Sequence, residues 1–296
     1  MKFVEMRKRI EHDEIGVMAG FQGISEDGSI TTLGRGGSDT SAVALAIALK
    51  ADRCDIYTDV DGVYTTDPRL VTKAHKMPRI AFEEMLELAS LGAKVLQTRS
   101  VELAMKYNMP VQVLSTFAKA VGSELPGTLV TQGDKTMEQN TITGIAFTRT
   151  QARVTLVRIA DRPGVAAAIF GPLSKAAISV DMIVQTAAAH GETTDITFTV
   201  NRNDVERTKQ ILEGERKKIG FEEVSIAANV AKISLVGAGM KSHHGVAATM
   251  FQTLADKKIN IQAIETSEIV LGVLIDEEYT ELAMRALHTA YGLDTK

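Results

Sequence analysis

The stretch Asp161-Arg162-Pro163-Gly164-Val165-Ala166-Ala167-Ala168-Ile169-Phe170 decides the fold of the second half of the chain, because its pattern returns further on. Gly164-Val165-Ala166-Ala167 recurs as Gly245-Val246-Ala247-Ala248. At the same offset Phe170, Leu173, Ile178 and Val180 are matched by Phe251, Leu254, Ile259 and Ile261. A strand pattern precedes each copy, residues 154–157 and 233–236. Each is followed by a β-rich run, 195–200 and 270–275, and then by a helical pattern, 204–212 and 279–287. The unit reads β-α-β-β-α, twice over. A period of about 80 residues is too long for a solenoid and marks a duplicated domain.

Upstream the texture changes. Ile15-Gly16-Val17-Met18-Ala19-Gly20-Phe21 reads as a buried strand, residues 40–50 as a helix, 54–60 as the next strand, 82–93 and 100–106 as helices, and 110–114 as a further strand. Strands alternating with helices imply βαβ units and a mainly parallel sheet. Residues 122–140, rich in Gly, Thr and polar side chains, read as a linker. The expected division is therefore 1–121, linker 122–140, first repeat 141–227 and second repeat 228–296. A strand at 141–149 is free to pair with either repeat's sheet.

Composition narrows the function. The 296 residues carry a net charge of −4, which excludes a strongly basic chain built to hold nucleic acid. No apolar run approaches the roughly 20 residues that span a bilayer, and Met1 to Arg9 lacks the apolar core of a signal peptide. The expectation is a cytoplasmic protein. A lone Cys54 excludes an intrachain disulfide framework, and the six His form no metal-ligand pair, so no metal centre is expected.

Two segments could carry chemistry. Thr31-Thr32-Leu33-Gly34-Arg35-Gly36-Gly37-Ser38-Asp39-Thr40-Ser41-Ala42 places glycines before a helix start, where backbone N–H groups and the positive helix end favour an anion. Arg35 adds a planar donor fork. The spacing is neither that of a P-loop nor that of a dinucleotide fingerprint. Tyr57-Thr58-Asp59-Val60-Asp61-Gly62-Val63-Tyr64-Thr65-Thr66-Asp67-Pro68-Arg69 follows a parallel strand, at the edge where open α/β sheets take ligands. Lys94 is a third candidate phosphate contact.

Gly20-Phe21-Gln22-Gly23, residues 31–42, residues 57–69 and residues 83–102 together closely resemble aspartokinase, in unbroken order from Ile10 onward. The tandem repeat resembles that family's pair of amino-acid-binding ACT domains. The resemblance implies an α/β fold: part of an amino-acid-kinase sheet, parallel-rich and flanked by helices, followed by tandem α+β, ferredoxin-like ACT domains. It also implies phosphorylation of the L-aspartate side chain by ATP, with Mg²⁺ accompanying the nucleotide, as the first step toward lysine, threonine and methionine.

By that resemblance Arg35, Gly36, Gly37 and Ser38 would hold aspartate, with Ser38, Thr58, Asp59, Tyr64, Asp67, Arg69, Lys94 and Val95 around ATP. An effector, lysine or threonine, would meet Val180, Asp181, Met182 and Gln185 in the first repeat and Asn260, Ile261, Ser267 and Glu268 in the second. A homodimer through the ACT domains is expected. The family's Lys-Phe-Gly-Gly-Thr-Ser motif, whose lysine neutralises the transferring phosphoryl group, has no counterpart in the sequence, nor does about half of that kinase domain. No catalytic residue is therefore assigned.

Three readings follow: an aspartokinase whose remaining kinase half lies elsewhere or was lost by truncation, a non-catalytic regulatory subunit, or another amino-acid kinase acting on carbamate or glutamate. The ACT repeat argues against the last. Phosphoryl transfer depends on positioning and charge, so the 296 residues by themselves are expected to turn over little ATP. A half-sheet is also expected to leave an edge and an apolar face uncovered. Glu265, where the family usually has a hydroxyl residue, is a further departure.

Overall fold

The computed structural model describes residues 3–93, 95–117, 126–134, 141–185 and 193–294. The first unit contains α1 (Phe3–Ile10), a hairpin of β1 (Gln22–Ile24) and β2 (Ile30–Thr32), α2 (Gly37–Leu49), β3 (Cys54–Thr58), β4 (Arg79–Ala81), α3 (Phe82–Ser90), α4 (Thr98–Lys106), β5 (Val111–Ser115) and β6 (Thr128–Thr131). Its sheet runs in the order β3-β5-β6-β4, with β3 parallel to β5, β4 parallel to β6, and β5 antiparallel to β6. The side chains that fill it, among them Val43, Ile56, Phe82, Met85, Val113 and Val130, come from one face of the sheet and from the helices.

Two expectations need correcting. The stretch read as a linker contains β6, a central strand. Thr128 and Val130 turn inward and are fully buried, and four residues with a single apolar alternation are too short a signal to read among glycines and polar side chains. The rest of that stretch, 118–125 and 135–140, lies outside the described residues. Residues 15–21 form no strand either. Ile15 and Val17 are 91% and 90% exposed, and no neighbouring strand pairs with them among the described residues. Apolar patterning cannot make a strand without a partner to take its backbone hydrogen bonds. Val4 on α1 and Ile24 and Ile30 on the β1–β2 hairpin are also largely exposed.

The two repeats follow. The remaining elements are β7 (Gly144–Thr148), β8 (Gln151–Ala160), α5 (Val165–Lys175), β9 (Val180–Gln185), β10 (Thr193–Asn201), α6 (Val205–Gly214), α7 (Arg216–Ile219), β11 (Glu223–Ala227), β12 (Val230–Val236), α8 (Val246–Asp256), β13 (Ala263–Thr266), β14 (Val270–Asp276) and α9 (Thr280–Ala290). The first repeat builds the antiparallel sheet β11-β8-β10-β9, the second β13-β14-β12-β7. The strand left open by the sequence, β7, thus belongs to the second repeat, and the first repeat is inserted between β7 and β12. In the first sheet the flanking strand of β8 is β11, which comes later in the chain. In the second the flanking strand of β12 is β7, which comes earlier.

The repeat is conformational as well as sequential. Gly164 and Gly245 start α5 and α8 with φ of 90° and 91°. A Cβ at either glycine would meet nothing within 4 Å, so the left-handed dihedral is what requires glycine there. No helix of the described residues is long and apolar enough to cross a membrane.

The first unit and the second repeat share their cores. Ala146, Val236 and Val270 from the repeat's sheet pack into the first unit, while Val71 packs into the repeat. Glu84 on α3, 1% exposed, accepts hydrogen bonds from Thr143 Oγ1 (2.6 Å) and from the Ala238 N–H (2.9 Å), fastening the helix to the repeat.

Candidate functional site

The glycine segment forms a tight turn into α2. Gly34 and Gly36 have φ of 77° and 73°, and Gly36 is the residue that precedes the helix. A Cβ on Gly36 would lie 1.7 Å from Gln97 Cγ and 2.6 Å from Gln97 Cβ, so glycine is required by space as well as by dihedral. The turn is held from α4, where Arg99 Nη2 donates to the Leu33 carbonyl (3.2 Å). Ser41, inside α2, accepts from the Phe21 N–H (3.3 Å). Arg35 and Ser38 are exposed at the helix start, and Gly37 is buried. Burial pushes the Asp39 carboxyl above its usual range, against a hydrogen bond from the Gln97 backbone. The turn therefore presents an arginine fork, a serine and a positive helix end on a surface whose shape is locked from behind. Val95 packs partly buried close by in sequence to Gln97; Lys94 lies outside the described residues.

The second segment leaves β3 at Thr58, whose Oγ1 donates to Asp59 (3.1 Å), and Asp59 is exposed. It then folds back on itself. The Thr65 N–H donates to the His75 carbonyl (3.0 Å) and the Met77 N–H to the Val63 carbonyl (2.8 Å), an antiparallel ribbon. Gly62 permits the turn, since a Cβ there would sit 2.6 Å from Thr128 Oγ1. That hydroxyl accepts from the Val63 N–H (2.8 Å) and donates to the Met77 carbonyl (2.6 Å), clipping both sides of the ribbon.

Asp61 sits between the Tyr64 hydroxyl and Lys76 Nζ, both at 3.1 Å. Burial works to raise its pKa, but the bonds from Lys76 and Tyr64 outweigh it and hold the carboxyl below its usual value. Arg69 lies 87% exposed and grips Asp67 with a two-pronged contact at 2.7 and 3.0 Å, which lowers the Asp67 pKa. Two residues expected to meet a nucleotide are thus paired with each other. Cys54, buried at the start of β3, has its thiol pushed up to about 11, chiefly by burial.

On the first repeat, β9 carries a bulge. Ile183 pairs with Phe198 and Val180 with Val200, so Asp181 and Met182 stand opposite the single residue Thr199. Met182, 3% exposed, packs with Val230 and Leu274 of the second repeat. Asp181 accepts from Gln151 Nε2 (2.6 Å) and from Lys232 Nζ (2.8 Å). Burial pulls its pKa up, and those two bonds outweigh it, leaving a lowered value. Lys232, 2% exposed, also pairs with Glu265, so the carboxylate that replaces the expected hydroxyl has a buried ammonium to neutralise.

Of the four candidate effector contacts on β9, then, Asp181 and Met182 face the second repeat, Gln185 is exposed and Val180 half-buried. In the second repeat Asn260 is exposed and Ile261 packs against the core. Ser267 closes the β13–β14 turn by accepting the Val270 N–H (3.1 Å), and Glu268 lies exposed in the same turn.

The structure adds residues that motif reading passed over: Glu84, Thr128, Lys232, and the pair Thr65–His288 (2.9 Å). Lys232 had a signal, a lysine inside an otherwise apolar strand, which calls for a buried partner without naming it. The others look in sequence like ordinary helix or strand residues.

Comparison with known proteins identifies the family. The amino acid kinase family matches residues 2–115, and ACT domain families match 153–216 and 233–291. An aspartate kinase of Pseudomonas putida is 56% identical over 291 residues, which is 98% of this chain and 69% of the relative. The chain belongs to the aspartate kinase family. The crystal structure of E. coli aspartokinase III in complex with aspartate and ADP superposes with a TM-score of 0.79 at 31% identity, covering 97% of this chain and 62% of that one. The same enzyme in complex with lysine and aspartate gives a TM-score of 0.73, also at 31% identity and with the same coverage. The chain therefore spans about two thirds of the length of these relatives, and within that span it holds part of a kinase unit and both ACT domains.

Proposed function

We propose that the chain acts in the ATP-dependent phosphorylation of the L-aspartate side-chain carboxylate, with feedback by an amino acid bound at the ACT pair. The observation that carries this reading is the 56% identity to an aspartate kinase over 98% of the chain. The glycine turn Gly34–Gly37 is its structural counterpart. Arg35 and Ser38 would meet a carboxylate or the terminal phosphoryl group at the start of α2. Thr58, Asp59 and Tyr64 would line the nucleotide on the ribbon side, with Asp67 and Arg69 at its rim.

Among the described residues no cluster of three or more His, Cys, Asp or Glu could hold a metal by itself. Mg²⁺ would arrive on the phosphates and keep most of its waters. When bound, the ion would offset phosphate charge, while the chain's own residues orient and neutralise. The family's glycine-flanked lysine is not among these 296 residues, so no step is assigned to it.

For the effector, α5 starts at a left-handed glycine after Asp161-Arg162-Pro163, where backbone N–H groups favour a carboxylate. Gln185 is the exposed polar residue on the adjoining strand, and E. coli aspartokinase III, crystallised with lysine, is a relative at 31% identity. Pairing of ACT units between two copies completes the proposal.

The test is a titration of the purified chain with ATP and Mg²⁺ by calorimetry, alongside hydroxylamine trapping of an aspartyl phosphate. Weak nucleotide binding that falls in Asp59→Ala and Arg69→Ala is expected, with turnover far below that of a full-length relative. Unchanged affinity in both variants would place the nucleotide elsewhere.

A further inference from the structure

We propose that His288, on the last helix of the second ACT unit, is a positioning residue for the ribbon of residues 63–77. The nucleotide consequence rests on the reading above; the mechanical link does not.

His288 is fully buried and Thr65 is 2% exposed. Their Nε2 and Oγ1 atoms lie 2.9 Å apart, although 223 residues separate them. The other ring nitrogen, Nδ1, lies 2.7 Å from Asp294 Oδ1. Asp294 also takes Lys73 Nζ (2.9 Å) and the Thr289 hydroxyl (2.8 Å), and these contacts, Lys73 first and His288 next, hold its carboxyl far below the usual range. An ionised carboxylate only accepts, so Nδ1 carries the proton. Nε2 and the Thr65 hydroxyl then share a hydrogen bond on the far side of the ring. That leaves a Thr65 lone pair for the His75 N–H at 3.3 Å. These contacts on both ring nitrogens hold the Thr65 rotamer and with it the ribbon.

The ring is one of several ties on the same face. Arg285 Nε, one turn earlier on α9, donates to the Leu70 carbonyl (2.9 Å). The Ile145 N–H of β7 donates to the Thr65 carbonyl (2.8 Å). Val71, 4% exposed, is packed in the core of the ACT unit. The segment that carries Tyr64, Asp67 and Arg69 therefore stands with one wall on the kinase sheet, through Thr128, and the other on the ACT domain. A shift of α9 cannot leave the ribbon in place.

Amide hydrogen exchange across the whole chain, together with ATP–Mg²⁺ calorimetry, tests the assignment in Thr65→Val, His288→Ala and His288→Gln. Thr65→Val cuts the bond from the kinase side with little change of shape. His288→Gln keeps a polar group near the Nε2 position. Exchange at the Thr65, Met77 and Ile145 amides is expected to rise about fivefold to tenfold in Thr65→Val and His288→Ala, the equivalent of one hydrogen bond, and to return toward wild type in His288→Gln. ATP affinity should fall and recover in step.

Unchanged exchange in Thr65→Val overturns the proposal; raised exchange with ATP affinity untouched removes the nucleotide consequence and leaves the mechanical link. If His288→Ala also loses protection over β12 and β14, the ACT unit itself has failed, and Thr65→Val decides alone. If the wild-type chain binds no ATP while the ribbon loosens as expected, the nucleotide reading falls and the link between α9 and the ribbon stands.

Discussion

Replacing Lys232 by Met is the sharpest test of the three-way junction. The ammonium is 2% exposed and faces Asp181 of the first repeat and Glu265 of the second, whose side chains are 43% and 29% exposed. Glu87 of α3 stands near enough to feel it: burial raises the Glu87 pKa, Lys232 opposes that rise, and Glu265 adds to it. Methionine keeps the length and removes the charge, leaving three carboxylates without their common partner.

Breaking a fully buried pair costs about 3–5 kcal/mol, and carboxylates that keep some water bring this down to about 2–3 kcal/mol. At about 2–4 °C per kcal/mol for a chain of this size class, the melting midpoint at pH 7 should fall by about 5–10 °C. The sign of the pH dependence follows. In the variant the carboxyl pKa values are raised in the folded state, so the folded protein binds protons more tightly, and the deficit should shrink as pH falls from 7 toward 5. Adding Glu265→Gln to Lys232→Met should recover part of the loss, because the two sites share one interaction. A midpoint within about 1 °C of wild type at pH 7, or a deficit independent of pH, would refute the junction's electrostatic role.

Asp294→Asn should show a pH dependence of the same sign, set at lower pH. A depressed carboxyl pKa contributes stability above about pH 4 that is lost as pH falls further, so the gap to wild type should be widest at pH 7 and close in acid; melts at pH 7 and pH 3 decide it. Gly245→Ala should cost about 1–2 kcal/mol through its left-handed dihedral alone, and Gly164→Ala a similar amount; unequal losses in denaturant titrations would mean that the two turns are not equivalent. Cys54, buried with its thiol raised to about 11, should resist a thiol reagent at pH 8 until the protein unfolds; rapid labelling of the native chain would contradict its placement. Lysine or threonine should raise the melting midpoint, by an amount equivalent to about 2.7 kcal/mol at a hundredfold excess over the dissociation constant, and Gln185→Ala should blunt the rise; no shift with any amino acid at millimolar concentration would leave the repeat as an assembly module.

Local chemistry made much of this protein legible in one dimension. The repeated Gly-Val-Ala-Ala turns, the apolar spacing of α5 and α8, and the glycine turn before α2 each depend on dihedrals and periodicities that neighbouring residues set among themselves. That is why Gly164 and Gly245 adopt the same φ, and why the duplicated unit could be read before any contact was known. What depended on distant partners could not be read. An apolar run at 15–21 stays exposed without a neighbouring strand, and four residues at 128–131 become a central strand because two neighbours accept them. β7 chooses the sheet of the second repeat although the first follows it immediately. Asp181 lies at a bulge and pairs with Lys232 of the other repeat, a contact between segments far apart in the chain. Thr65 and His288 meet across most of the chain. Sequence encodes each group's need for a hydrogen bond or a counter-charge; which group meets that need is settled only when folding has brought distant segments within about 3 Å.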